Sequence, residues 1–194
     1  MFASEISNEE LHLLKLARFE GKIHLIEHLD EAEWAVKRLR SFPMLGFDTE
    51  TRPAFVKGRI NRVALLQLAN ANDAFLFRLC KMSIPKCLLS LLAEPNILKV
   101  GAALKNDLDV LKRSANFNPC GFVDLQDVVQ EYEIKNLGLC KMAGIVLGVR
   151  ISKAQQLSNW EYDTLSEAQQ RYAATDAWMC YMIYEKLIKL KIEN

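Results

Sequence analysis

The sequence predicts an α/β domain built on a mixed sheet of five to six strands, three antiparallel meander strands followed by parallel ones, with flanking helices. Apolar runs at residues 42–47, 63–69 and 74–79 are separated by turn chemistry, the pattern of neighbouring strands. From residue 97 onward, short apolar runs alternate with segments of helical period, as in parallel strands joined by crossover helices. No Gly-, Ser- or Pro-rich linker divides the chain of 194 residues, a length suited to one well-buried core.

Residues 7–19 read as a lead helix. Ser7 and Glu10 have capping-box spacing, and Leu11, Leu14 and Ala17 or Arg18 recur at helical intervals before Gly21. Residues 22–26 suit a short strand. Asp30 with Glu33 repeats the cap spacing, and Ala32, Ala35, Val36 and Leu39 form one apolar helix face. The run from Phe42 to Phe47 opens a strand that ends on Asp48 and Glu50. Residues 51–61 contain Arg52, Lys57 and Arg59 with Pro53 and Gly58, and Arg62 follows; they read as a mobile basic loop. Residues 63–69 are a buried strand, 70–73 a turn and 74–79 the next strand.

Pro85 opens an apolar helical segment that Glu94-Pro95-Asn96 closes. Strand, helix, strand and helix follow at 97–102, 106–114, 121–123 and 125–132, and then a helical, loop-like stretch to 158. Ser166 and Gln169 cap a last helix, whose apolar stripe runs through Ala173, Ala177, Cys180, Ile183 and Leu187.

A formal net charge of +1 excludes nucleic-acid binding driven by bulk charge, though not by local patches. Five cysteines without a C-x-x-C pair suggest neither a zinc site nor a disulfide framework, and a cytoplasmic, reducing location is expected. The three histidines all lie in the first thirty residues, which excludes a histidine-based centre in the main body. No basic region followed by an apolar core opens the chain, and no apolar run approaches membrane-spanning length.

Asp48 and Glu50 are the first candidates for chemistry. Two residues apart on a strand, their side chains share a face. Like charges that close require a cation or a shared proton, and hard divalent ions favour such oxygen donors. Asp107 falls in the first turn of the helix after the 97–102 strand, beyond a strand's carboxyl end, where ligands collect in open sheets. Its other reading is complementing the helix dipole, and spacing alone does not separate it from Asp109. Tyr172 and Asp176 are four apart and stack on one face of the last helix, among alanines. Asp124, with Asp127 three residues on, reads as a helix cap.

Asp48-x-Glu50, Gly101-x5-Asp107 and Tyr172-x3-Asp176 together resemble the three motifs of the DEDD exonuclease superfamily, in its tyrosine branch. The flank Ser158-Asn159-Trp160, Leu165, Gln169 and residues 172–177 resembles ribonuclease D and, more closely, the Werner syndrome helicase exonuclease domain. The histidine branch would place His where Arg171 stands. The resemblance selects Asp107 over Asp109 and covers about residues 22–190. It implies a ribonuclease H-like fold and an exonuclease domain at 22–194, which the N-terminal lead-helix segment at 1–21 precedes.

The implied activity is metal-dependent hydrolysis of nucleotides from a free 3′ end of DNA or RNA with two divalent ions, Mg²⁺ or Mn²⁺. Two such ions stabilise the attacking and leaving oxygens of a phosphodiester. By this resemblance Asp48 bridges the ions, Glu50 and Asp176 complete the site of the attacking water, and Asp107 supports the second ion. Tyr172 orients the water, since a phenol with an unperturbed pKa near 10 makes a poor base. Thr49, Thr51, Arg52, Lys105, Asn106 and Lys153 are candidate substrate contacts. Trp160 either stacks a base or supports the final helix. The chain's end at Asn194, without extra helical domains, points to the stand-alone or Werner-like type. The alternative is a catalytically silent module that holds nucleic acid or a protein on the same fold.

Overall fold

The computed structural model describes residues 2–53 and 61–193. Lys57, Gly58 and Arg59 of the expected basic loop lie outside the described residues. In chain order the elements begin with α1 (Asn8–Leu13), β1 (Lys15–Leu16), β2 (Lys22–Ile26), α2 (Leu29–Leu39) and β3 (Met44–Thr51). Then come β4 (Val63–Ala69), β5 (Asp73–Arg78), α3 (Lys86–Leu92), β6 (Leu98–Gly101) and α4 (Leu104–Ser114). The chain closes with β7 (Phe122–Asp124), α5 (Leu125–Gln130), α6 (Leu139–Leu147), β8 (Val149–Arg150) and α7 (Glu167–Glu193).

Six strands form the main sheet in the order β2-β5-β4-β3-β6-β7. β3, β4 and β5 are the antiparallel meander, and β6 and β7 add in parallel beside β3. Every residue of β4 and β5 is buried, as expected of strands covered on both faces. β2 pairs in parallel with β5, a pairing between non-consecutive elements that local pattern could not specify.

Side-chain alternation divides the core. Phe47, Leu66, Leu68, Phe75 and Phe77 face α2, α3 and α4. Leu65, Ala69 and Leu76 face Ala173, Ala174 and Ala177 of α7. A third cluster joins Val100 of β6 to α5, α6 and the later turns of α7. Among the described residues no helix is long and apolar enough to cross a membrane.

The expected lead helix over 7–19 is corrected. Ser7 and Glu10 do form the capping box, but α1 ends at Leu13 and Leu14 is extended, with ψ 150°. Lys15 and Leu16 then pair in parallel with β8, and the Leu14 carbonyl accepts from Arg150 Nε at 3.1 Å. A strand partner distant in sequence outcompetes the helical period. The segment packs on the body of the chain, with Phe19 buried in the core beside α7 and Leu11, Ile6 and Leu14 lying over Gly144 of α6. The cap of α2 also moves. Glu31, not Asp30, organises its start, accepting from the Glu27 and His28 amides at 2.9 and 3.2 Å.

Candidate metal centre

The centre is positioned by a close approach of helix to strand. Gly46, Asp48 and Glu50 alternate onto the α7 face of β3. A Cβ at residue 46 would lie only 1.8 Å from the Ala177 carbonyl oxygen, so only a glycine lets α7 descend this far. Asp176, next to Ala177, is thereby carried to the two strand acids. One carboxylate oxygen from each of Asp48, Glu50 and Asp176 lies within 4.8 Å of the others. β6 pairs with β3 only as far as Gly46, so Asp48 and Glu50 project beyond its end.

Asp107 reaches this region from the first turn of α4 but stands outside the group of three. Its carboxylate accepts a hydrogen bond from the Thr49 hydroxyl at 2.7 Å. Thr49, between the two acids in sequence and buried on the opposite face of β3, is thus tied to a protein partner. The start of α4 is itself clamped. Asp124 caps α5 through the Gln126 amide at 2.9 Å, and also accepts from the Ala103 and Leu104 amides at 3.0 and 2.8 Å. Ala103 is held at φ 59°, a left-handed conformation that costs a non-glycine residue about 1–2 kcal/mol. Three backbone bonds to one carboxylate hold that turn, and with it Asp107. Asp109 is exposed.

Tyr172 packs beside Trp160, ring centroids 6.0 Å apart, and its hydroxyl lies against Asp176. Trp160 is fully buried and offers no face to a base, so its stacking reading is withdrawn in favour of support for the final helix. The other candidate contacts lie around the rim. Thr51 is half-buried where the β3–β4 register shifts, and Arg52 is exposed and pairs with Glu161 at 3.4 Å. Lys105 and Asn106 are exposed on the turn that carries Asp107, and Lys153 is exposed beyond β8. A cavity of about 300 Å³ opens beside Tyr172, lined in part by Leu16, Arg18, Ser152, Gln155 and Arg171.

Crowding and burial shift every acid in the same direction. Burial, then the Asp176 and Asp107 charges, hold Asp48 well above the usual carboxylate range. Burial, then Asp48, Asp176 and Asp107, push Glu50 up to about 10. Burial raises Asp176 despite its bond with Tyr172, and raises Asp107 to about 6 against the Thr49 bond. Without a cation these groups hold protons that an unfolded chain releases near pH 4. Raised acids stabilise fully below that unfolded pKa, and the contribution falls as pH rises, around pH 6 for Asp107 and onward toward 10 for Glu50. The metal-free protein is therefore expected to lose thermal stability steadily from pH 5 to 8. Unfolding curves in chelator check this; a melting temperature that rises across the window contradicts it.

The donor set is all carboxylate oxygen, hard and anionic, and fits a hard divalent cation better than a soft one. A 3′-5′ exonuclease family model matches residues 23–191. The chain belongs to the 3′-5′ exonuclease family. Among relatives in this family, the mouse bifunctional 3′-5′ exonuclease/ATP-dependent helicase WRN is 35% identical over 157 residues, 77% of this chain and 11% of that protein. The Drosophila melanogaster exonuclease 3′-5′ domain-containing protein 2 is 36% identical over 180 residues, 88% of this chain. The chain spans only 30% of that second relative's length. The Aedes aegypti Nibbler EXO domain superposes with a TM-score of 0.80 at 22% identity, covering 91% of this chain and 93% of that one. The fold is ribonuclease H-like, as the strand order indicates.

Two contributors to the centre escape the sequence reading. Gly46 was seen only as part of an apolar run, although a glycine in a strand interior signals a close backbone approach. The Thr49 bond to Asp107 spans 58 residues and leaves no local signal.

Proposed function

We propose that this chain is a metal-dependent 3′-5′ exonuclease of the tyrosine branch, acting on DNA or RNA that presents a free 3′ end. The observation that carries the reading is the convergence of Asp48, Glu50 and Asp176 within 4.8 Å, with Asp107 and Tyr172 at its border. Gathering buried carboxylates is unfavourable unless a cation offsets their repulsion. In this reading Asp48, Glu50 and Asp176 would hold one divalent ion, Mg²⁺ or Mn²⁺, and Asp48 with Asp107 would support a second. When bound, such ions supply charge stabilisation to the attacking and leaving oxygens of the phosphodiester.

The chain's own residues then position the reactants. Burial and the neighbouring Asp176 and Glu50 charges hold the Tyr172 phenol well above its ordinary range, so it keeps its proton and serves as a hydrogen-bond donor, not a base. Thr49 fixes Asp107, and the Asp124 clamp fixes the turn that bears it. Arg52, Lys105, Asn106, Thr51 and Lys153, around the rim, would meet phosphates in this reading. The five unpaired thiols support a reducing location such as the cytoplasm.

The test is side-by-side digestion of matched DNA and RNA strands, labelled at the 5′ end, with Mg²⁺, Mn²⁺ or chelator. Stepwise ladders that need the metal are expected, with circular single strands left intact. Cleavage of the circle would point to an endonuclease. Nucleic-acid binding without any shortening would identify a silent module.

A further inference from the structure

Gln67 is fully buried on β4, and neither its amide nitrogen nor its amide oxygen has a hydrogen-bond partner. Buried carboxamides are almost always partnered, because desolvating one without compensation is costly. The rest of β4 is Val, Ala or Leu, so a leucine here would complete the strand without that cost. Register explains what lies next to it. Gln67 stands directly across from Asp48 in the antiparallel β3–β4 pair, and residues so paired share a face with Cβ atoms about 4.5–5.5 Å apart. Leu65, Ala69 and Leu76 share that face, with Ala177 of α7 in the same cluster, and Glu50 and Arg78 lie on it one pair further along β3 and β5. The ionisable group directly across from the orphaned amide is Asp48.

We propose that Gln67 is a positioning residue for Asp48, its amide N–H donating to one Asp48 carboxylate oxygen when the acids hold a cation, and so directing the other oxygen at the ion. The inference rests on the reading of Asp48, Glu50 and Asp176 as a cation site. Metal-ligating carboxylates are commonly oriented by an outer hydrogen bond of this kind, and losing the partner costs about 10–100-fold in metal affinity. Apart from that hydrogen bond the amide has no partner. Its removal is then expected to act with opposite signs on fold and on metal.

Gln67→Met, apolar and of similar length, and Gln67→Leu, a second shape in case the first packs badly, test this with Mn²⁺ alone as probe. Thermal unfolding in chelator should give melting temperatures equal to or above the unsubstituted protein. Titration calorimetry should show Mn²⁺ bound at least tenfold more weakly by both variants. Unchanged Mn²⁺ affinity in either folded variant overturns the role of Gln67 while leaving the cation site standing. Weaker binding accompanied by a lower metal-free melting temperature in both variants also overturns it, by revealing a structural residue. Absence of Mn²⁺ binding by the unsubstituted protein overturns both readings.

Discussion

Asp48→Asn is expected to abolish metal-dependent shortening of a 3′ end while leaving the metal-free protein at least as stable as before. Asparagine keeps the shape of the side chain and removes its charge. After burial itself, the fields of Asp176 and Asp107 act on Asp48, whose own charge is in turn the largest acting on Glu50. Loss of one preorganised charge-stabilising group costs catalysis about 10²–10³-fold, and loss of a charged metal ligand should cost no less. The effect on stability has the opposite sign. The raised Asp48 carboxyl gives its full stability below the unfolded pKa and loses it progressively as pH rises. The variant should therefore melt at the same or a higher temperature in chelator at pH 8, and gain less from added Mn²⁺. Gel-resolved digestion and unfolding curves measure the two halves. Undiminished digestion by the variant would refute the assignment of Asp48.

Gly46→Ala should be the most damaging single-methyl change near the centre. The new Cβ would meet the Ala177 carbonyl oxygen at 1.8 Å, the Ala177 carbonyl carbon at 2.8 Å and the Tyr181 amide nitrogen at 2.9 Å. All three are backbone atoms of one helix, so no side chain can swing aside and α7 must move as a whole. Overpacking of this kind costs about 3 kcal/mol or more, a fall of roughly 6–12 °C in melting temperature for a domain of this size. The same movement takes Asp176 away from Asp48 and Glu50, so Mn²⁺ affinity should fall with stability. Gly138→Ala, where the added Cβ meets nothing within 4 Å, should leave Mn²⁺ affinity unchanged. Equal metal affinity in Gly46→Ala would show that the helix-to-strand approach does not set the site.

The two substitutions separate the kinds of information that build the centre. Asp48 acts through its own charge, and its relation to Glu50 is written in a spacing of two on a strand. Gly46 acts by the absence of a side chain, and its role exists only because a helix more than a hundred residues later lies on it.

Local spacing determined much of this protein. The period of two at Asp48 and Glu50, the period near four at Tyr172 and Asp176, and the alternation of strands and helices each place side chains relative to near neighbours. The element order and the mixed sheet followed from them, as did the capping boxes at Ser7 and Ser166. The tertiary structure decided what depends on distant partners. It shortened the lead helix, because Lys15 and Leu16 find β8. It removed Trp160 from the substrate surface, because that ring fills the space beside Tyr172. It set Asp107 apart from the other three acids and gave it Thr49. It also laid Gln67 across from Asp48, a pairing set by register between strands. The physical reason is the same in each case. Backbone geometry fixes faces over a few residues, whereas burial, register and close approach are set by whichever remote segment comes to occupy the other side.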